Sequence, residues 1–423
     1  MFIKSQNSLI PKLLLVLVIS FSLQINVFAQ GGSNYSLFGI GEINRNHGAF
    51  YDGMSGTSIS VPSEYAINLK NPAMWSYVEN TRIQFGYKFN QHLNESTVND
   101  GVSQSLYQNN GKINDVLTIF SIDTSMGLSL SLGLNSFTSV SYYVANSSSV
   151  SKGDLSVTGT TYYQGSGGIS NVYIGMSARP ADYLSLGASV TGHIGTIKTN
   201  SQSRYFEDFT FQTVTLKESA YNGLSTKFGF NLTAIENLSI GGYINLNQSM
   251  SSDNITTYVS QFSADTSTSN EVKFDLPTEI GLGIAYRTGK FIIASDFVTQ
   301  DFTNLNYNKV LNSEFQNSYN FSLGVRRNGN PSRNADYLDR MGYSFGATYA
   351  QMYYNLNGQN INEISGSFGI NMPIPGTGMI DASFILGQRG TTDFGLINEY
   401  FGRLLINLSI GDTWFKPIRK YFD

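Results

Sequence analysis

Gly127-Leu128-Ser129-Leu130-Ser131-Leu132-Gly133-Leu134-Asn135 decides how the chain must be read, because every even position is leucine and every odd one is small or polar. A period of two places successive side chains on opposite faces, so this stretch is a β-strand with one apolar face. Asn171 to Arg179 repeats the pattern, with Val172, Ile174, Met176 and Ala178 against Asn171, Tyr173, Gly175, Ser177 and Arg179. The same alternation runs through Leu184 to Val190, Leu238 to Leu246, Ile364 to Ile370, Ile380 to Leu386 and Gly402 to Ile410. Extended along the chain, it predicts strands at 81–89, 113–122, 126–145, 169–179, 184–197, 219–232, 238–250, 274–287, 290–303, 317–327, 340–354, 361–371, 379–389 and 399–410. An even number of antiparallel strands of this kind closes an outer-membrane barrel with both ends on the periplasmic side.

The connections carry a second signal. Asp123-Thr124-Ser125, Pro180-Ala181-Asp182, Ile235-Glu236-Asn237 and Thr288-Gly289 are tight, whereas 90–112, 146–168, 198–218, 251–273 and 304–316 read as long polar loops. Short inner turns alternating with long outer loops are the barrel pattern. The parity weakens late in the chain, where 328–339 is a long inner connection and 355–360 a short outer one.

Composition separates a barrel from a water-soluble sandwich. Of 423 residues only 13% are charged, about half the usual share for a soluble domain, while 41% are hydrophobic. A soluble sandwich carries more charge on its exposed face. A formal net charge of -4 without a basic run argues against nucleic acid as partner. In hydrocarbon only a fully hydrogen-bonded sheet is tolerated, so the apolar face looks to outer-membrane lipid and the Ser, Gly and Asn face inward. Arg82, Lys88, Glu279, Asp296, Arg326, Asp381 and Arg403 all fall in the inward phase of their strands and form the expected polar wall of the lumen. Lys4 and Lys12 around the start of the apolar run Leu13 to Leu23, followed by Val27-Phe28-Ala29, read as a secretory signal over 1–29. The chain has no Cys, which removes thiolate chemistry and disulfides.

Residues 30–80 do not alternate. They are rich in glycine, with Phe38, Phe50, Met54, Ile67, Leu69 and Trp75 available for packing, and they precede a barrel whose lumen wall side chains alone cannot fill. The segment is therefore expected to be a hatch inside the lumen, turning into the first strand at Asn71-Pro72-Ala73, with Trp75 beside the bend. The barrel itself is assigned to 81–410 and a periplasmic tail to 411–423.

The run Arg45 to Met74, with Gly53-Met54-Ser55-Gly56 and Asn68-Leu69-Lys70-Asn71-Pro72-Ala73, resembles the opening of the FadL-like outer-membrane transport proteins. Tyr400-Phe401-Gly402-Arg403 and Gly411 to Lys416 are similar to the ending of a divergent Bacteroidetes branch of that family. The resemblance implies an all-β, 14-stranded antiparallel transmembrane barrel with an N-terminal hatch. It implies movement of small hydrophobic molecules such as fatty acids across the outer membrane, by hatch rearrangement and lateral release at a kinked strand. Met74 and Trp75 depart from the family, which continues here with Gly and Leu, and no cargo-contacting residue transfers.

Enzymatic chemistry finds no support in the sequence. His47, His92 and His193 are too scattered for a metal motif, and Gly165-Ser166-Gly167-Gly168 lacks the Lys and helix of a phosphate loop and reads as a flexible outer turn. No cofactor is expected. For transport, Tyr142, Tyr143, Tyr205, Phe206 and Phe209 are candidate loop contacts for an apolar cargo, and Arg204 with Lys217 a candidate pair for an acidic head group. The third strand is the candidate wall defect, because Phe137 breaks its phase before Val140 resumes the outward set. The other reading is a non-transporting structural barrel, an accessory subunit that binds an envelope protein partner.

Overall fold

The computed structural model describes residues 32–45, 48–98, 102–152, 155–206, 211–260, 263–269, 271–305, 307, 313–332 and 334–414; the expected signal over 1–29 lies outside them. Fourteen antiparallel strands close into one barrel: β1 (Thr81–Val98), β2 (Val102–Asp123), β3 (Leu128–Ser136 and Thr138–Lys152), β4 (Leu155–Ala181), β5 (Leu184–Phe206), β6 (Phe211–Ile235) and β7 (Leu238–Ser260). The circuit continues with β8 (Ala264–Thr268, Val272–Leu276 and Glu279–Thr288), β9 (Phe291–Asp301), β10 (Ser313–Phe315 and Asn317–Arg327), β11 (Gly342–Leu356), β12 (Gln359–Pro373), β13 (Met379–Gly390) and β14 (Ile397–Asp412). Closure is made by sixteen paired positions from Ile397↔Ser96 to Asp412↔Thr81, so neither the first nor the last strand leaves an unpaired edge in lipid.

The alternation read from the sequence is the orientation of the wall. Leu132, Leu134, Val172, Ile174 and Met176 are exposed on the outside, while Ser129, Ser131 and Ser177 are buried within. An outward Leu, Ile and Phe surface on a closed sheet is stable only in hydrocarbon, which places the protein in the bacterial outer membrane. The late break in parity does not alter the strand number. The inner connection after β10 is long because it contains a short helix, α1 (Tyr337–Arg340), and β11 and β12 are joined tightly through Asn357 and Gly358.

Three expectations fail. The segments 90–112, 146–168, 198–218 and 251–273 are largely not loops: β2 and β4 to β7, strands of 22 to 27 residues, continue through them. About ten residues suffice to cross the hydrocarbon, so these strands rise well beyond it as a tall outer wall. Ser and Thr are good strand residues when paired, and Thr161 with Ser203 (2.9 Å) and Thr257 with Thr266 (3.2 Å) hydrogen-bond across strands. Gly165 to Gly168 accordingly lies inside β4 and not in a turn. Gly168 has φ +151°, and a Cβ there would meet the Thr138 carbonyl oxygen at 2.4 Å. Val140, finally, faces inward and is buried, because the strand skips a residue at Phe137.

The hatch fills the lumen in layers. At the outer end Tyr35, Ile40, Val140, Phe302, Tyr353, Tyr354 and Leu356 belong to one apolar cluster. Nearer the periplasm Phe50, Tyr51, Met54 and Val61 pack on Ala285, Ile292 and Ala294, and Ile67, Trp75 and Val78 pack on Leu117, Ile119 and Tyr173.

Candidate functional site

The hatch is fixed from its turn outward. Asn71 caps the short 3-10 helix Pro72–Tyr77 by accepting from Ala73 N at 3.0 Å, and its Nδ2 donates to the carbonyls of Ile59 (2.8 Å) and, on β6, Phe230 (2.9 Å). Pro72 at the first helical position gives up an amide that would have no partner there. Gly229 of β6 and Gly187 of β5 admit this turn: a Cβ at either would lie 2.1 Å from Asn71 Oδ1 or 2.4 Å from the Pro72 carbonyl carbon. Trp75 stacks on Tyr173 (centroids 5.8 Å) and donates Nε1–H to the Asn68 carbonyl at 2.6 Å.

All seven wall residues picked out by phase touch the hatch, Lys88 by donating from Nζ to Asn44 Oδ1 at 3.2 Å. Arg82 lies 5.6 Å from the Tyr65 ring and Asp381 accepts from the Tyr65 hydroxyl at 3.3 Å. Glu279 pairs with Lys70 at 3.2 Å, and Asp296 accepts the amides of Ser58 (2.6 Å) and Ile59 (2.9 Å). Arg326 donates to the Phe50 carbonyl at 2.8 Å and covers its ring, and Arg403 pairs with Glu42 at 2.8 Å.

The strongest cluster was not singled out from the sequence. Arg389 of β13 pairs with Glu42 at 2.6 Å and Glu363 at 2.5 Å and lies 3.7 Å from Glu399, itself 2.7 Å from Ser33 Oγ and 2.6 Å from Asn34 N. Hatch segment 33–42 is thus tied to three neighbouring strands by charge-assisted bonds, the strong class of hydrogen bond. Glu363, Arg389 and Glu399 occupy the polar phase of their strands, so the signal that marks Asp381 and Arg403 marks them as well.

The wall is interrupted at β3. Pairing of β2 with β3 runs only from Asp123↔Leu128 to Asp115↔Asn135; beyond it Thr138–Lys152 pairs with β4 at a register shifted by one. No backbone ladder joins residues 102–114 of β2 to 138–152 of β3 among the described residues. Instead the hatch dipeptide Glu42–Ile43 pairs with Ser139 and Thr138, and Gly32 N donates to the Ser141 carbonyl at 2.7 Å. Only side chains span the remaining seam, including Gln108 Nε2 to the Tyr143 carbonyl (3.2 Å) and Lys112 Nζ to Ser136 Oγ (2.9 Å).

The loop candidates are not brought together. Tyr142 is buried in the outer cluster, while Tyr143 stacks on Tyr162 of β4. Arg204 lies over the Tyr162 ring, whereas Lys217 faces a concavity with Thr199 and Thr256, so the two cations are on opposite faces of the wall. Tyr205 is half-buried on β5 and Phe206 ends that strand; Phe209 lies outside the described residues. His193 is held by Asn171 (2.7 Å) and Ser225 (3.0 Å), His92 is buried 4.0 Å from Glu399, and His47 lies outside the described residues. Among the described residues no three His, Asp or Glu side chains are grouped to hold a metal.

Among the described residues, cavities beside the hatch include two of about 100 and 70 Å³. The larger one has many charged groups in its lining, among them Glu42, Arg45, Asp296, Glu363, Arg389 and Arg403, beside apolar ones such as Ile59, Val298 and Met352. Asn171, His193, Lys227 and Glu279 help to line the smaller.

The family model for BamG matches residues 9–421, almost the whole chain. The chain belongs to the BamG family. No curated protein matches it. Among solved structures, this BamG-family chain is similar to the CymD monoaromatic hydrocarbon channel (TM-score 0.57, 12% identity, 88% of this chain and 99% of that one). It is also similar to a Pseudomonas aeruginosa FadL homologue (TM-score 0.60, 9% identity, 87% and 98%) and to the P. putida toluene transporter TodX (0.57, 13%, 88% and 99%). At such identities the likeness is one of fold: the BamG-family barrel with its hatch has the FadL-type architecture.

Proposed function

We propose that this barrel is a non-transporting accessory subunit of an outer-membrane protein complex. The observation that carries this reading is the content of the lumen. The hatch is packed against the wall in four apolar clusters among the described residues, and the two cavities described beside it are small and carry charged and amide side chains in their lining. A pocket for a hydrophobic cargo is predominantly apolar and of roughly 300 Å³ or more. Moving an apolar molecule along the Glu42, Glu363, Arg389 and Arg403 surface would require breaking buried ion pairs without replacing their partners, which is strongly unfavourable.

A second reading is favoured by the seam at β3 and by the FadL-type fold: an outer-membrane channel for small hydrophobic molecules, with the hatch rearranging and cargo leaving sideways between β2 and β3. Fatty-acid specificity and membership of a Bacteroidetes branch belong to this reading, the latter through the motifs at 400–403 and 411–416.

One preparation separates the two. The full-length protein is purified from outer membranes in mild detergent, analysed for co-purifying chains, then reconstituted in vesicles and assayed for uptake of toluene and oleate. A stoichiometric outer-membrane partner without uptake is the expected result. A lone barrel that accelerates uptake, and loses that activity when β2 is cross-linked to β3, would replace it with the channel reading.

A further inference from the structure

A third cavity lies in neither the hatch nor the seam. It is a concavity of about 440 Å³ on the inner face of the tall outer wall. Its geometry follows from strand register. Tyr163 of β4 is opposite Ser201 of β5, Ser201 is opposite Thr215 of β6, and Thr215 is opposite Tyr258 of β7. Directly opposite residues share a face, so these four form one row with a tyrosine at each end and two short hydroxyl side chains between. With strands about 4.8 Å apart, the tyrosines stand about 14 Å from one another. The next row inward is Thr199, Lys217, Thr256 and Ser267. The result is a trough, walled by the two exposed rings of Tyr163 and Tyr258, with the buried Tyr142 also in its lining, and floored by hydroxyls and amides around one ammonium group.

We propose that this trough binds a short acidic oligosaccharide. Sugar rings need flat aromatic faces for their C–H surfaces and many adaptable donors and acceptors for their hydroxyls, and Tyr, Ser, Thr and Asn supply both. The volume lies in the range of small-ligand sites, and the distance between the rings suits two to three sugar units. Among the described residues no aliphatic side chain lines the trough, which disfavours a hydrocarbon. Among the described residues Lys217 is the single charged group of the lining, without a carboxylate beside it there. Glu218 points to the opposite face and pairs with Lys198 at 3.2 Å, and Asp265 continues the first row beyond Tyr258, outside the cavity. One ammonium group among neutral hydroxyls selects a sugar bearing a carboxylate or phosphate. The site is independent of whether the lumen conducts, because it lies outside the sealed interior.

Two sources offer this chemistry on the cell surface, soluble polysaccharide and the core sugars of lipopolysaccharide. Titration of the detergent-purified full chain by saturation-transfer NMR would use trigalacturonate, a delipidated lipopolysaccharide core oligosaccharide and, as neutral comparison, maltotriose. Binding of either acidic oligosaccharide is expected, with trigalacturonate indicating the soluble source and the core sugar alone the lipid-anchored one. Tyr163→Ala and Tyr258→Ala should each weaken binding by about tenfold, and Lys217→Gln should remove the preference over maltotriose. These side chains are solvent-exposed or half-buried, and unchanged heat-modifiable gel mobility confirms that each variant is folded. Failure of both acidic oligosaccharides to bind at millimolar concentration, or binding that both tyrosine variants leave unchanged, overturns the proposal.

Discussion

Arg389 is the residue on which most of the outer hatch depends, since its guanidinium serves Glu42, Glu363 and Ser33 while only 2% of its side chain is exposed. Replacing it by methionine leaves the buried carboxylate of Glu363 without its nearest partner and the half-buried Glu42 with Arg403 alone, a loss on the order of 3 kcal/mol. R389M should therefore unfold at lower temperature in heat-modifiable gel assays, and Glu363→Gln in the same background should restore part of the loss. On the periplasmic side, Asp339 accepts from Asn330 Nδ2 at 3.0 Å and pairs with Arg327, and these bonds hold its carboxyl below the ordinary aspartate value. A depressed carboxyl contributes its stabilisation above the unfolded-state pKa and loses it as pH falls through the folded-state value. The connection between β10 and β11 should become protease-sensitive below about pH 4. In Asp339→Asn that pH step should vanish, and sensitivity that stays flat in the parent chain would contradict the assignment.

At the scale of elements, the hatch and the β3–β4 ribbon invite separate tests. Ser55 Oγ and Ser367 Oγ are 2.8 Å apart, one on the hatch and one on β12. Because the chain has no native cysteine, Ser55→Cys with Ser367→Cys should form a single unambiguous disulfide, seen as a mobility change on reduction, with the oxidised form melting higher. Absence of cross-linking would mean that the hatch does not rest against β12. In β4, Gly168→Ala forces a Cβ toward the Thr138 carbonyl at a backbone angle that side chains avoid, at a cost of about 1 to 3 kcal/mol. Hydrogen exchange should then accelerate at the β3 break and across β4 while β9 to β13 remain protected. Uniform acceleration would show that the break is not a local feature.

For the molecule as a whole, a hatch sealed by apolar clusters above and below a charged middle layer predicts a silent barrel. In planar bilayers the native protein should show no steady ion current, and porin-like steps in the unmodified chain would refute the packed lumen. The sequence alone specified the strands, their number and which face meets lipid, because a period of two and the cost of charge in hydrocarbon are both local properties of a strand. It also marked the inward charges Arg82, Glu279, Asp296, Arg326, Asp381 and Arg403, since phase needs no partner. It misread the polar stretches above the membrane as loops, because Ser, Thr and Asn suit loops and paired strands alike and only a neighbouring strand decides between them. The register shift at Phe137, the joining of Glu42 to Arg389 and Arg403 across more than three hundred residues, and the row from Tyr163 to Tyr258 were decided by the tertiary structure. Each depends on which strand stands beside which, and at what offset, and alternation repeats too regularly to encode that offset.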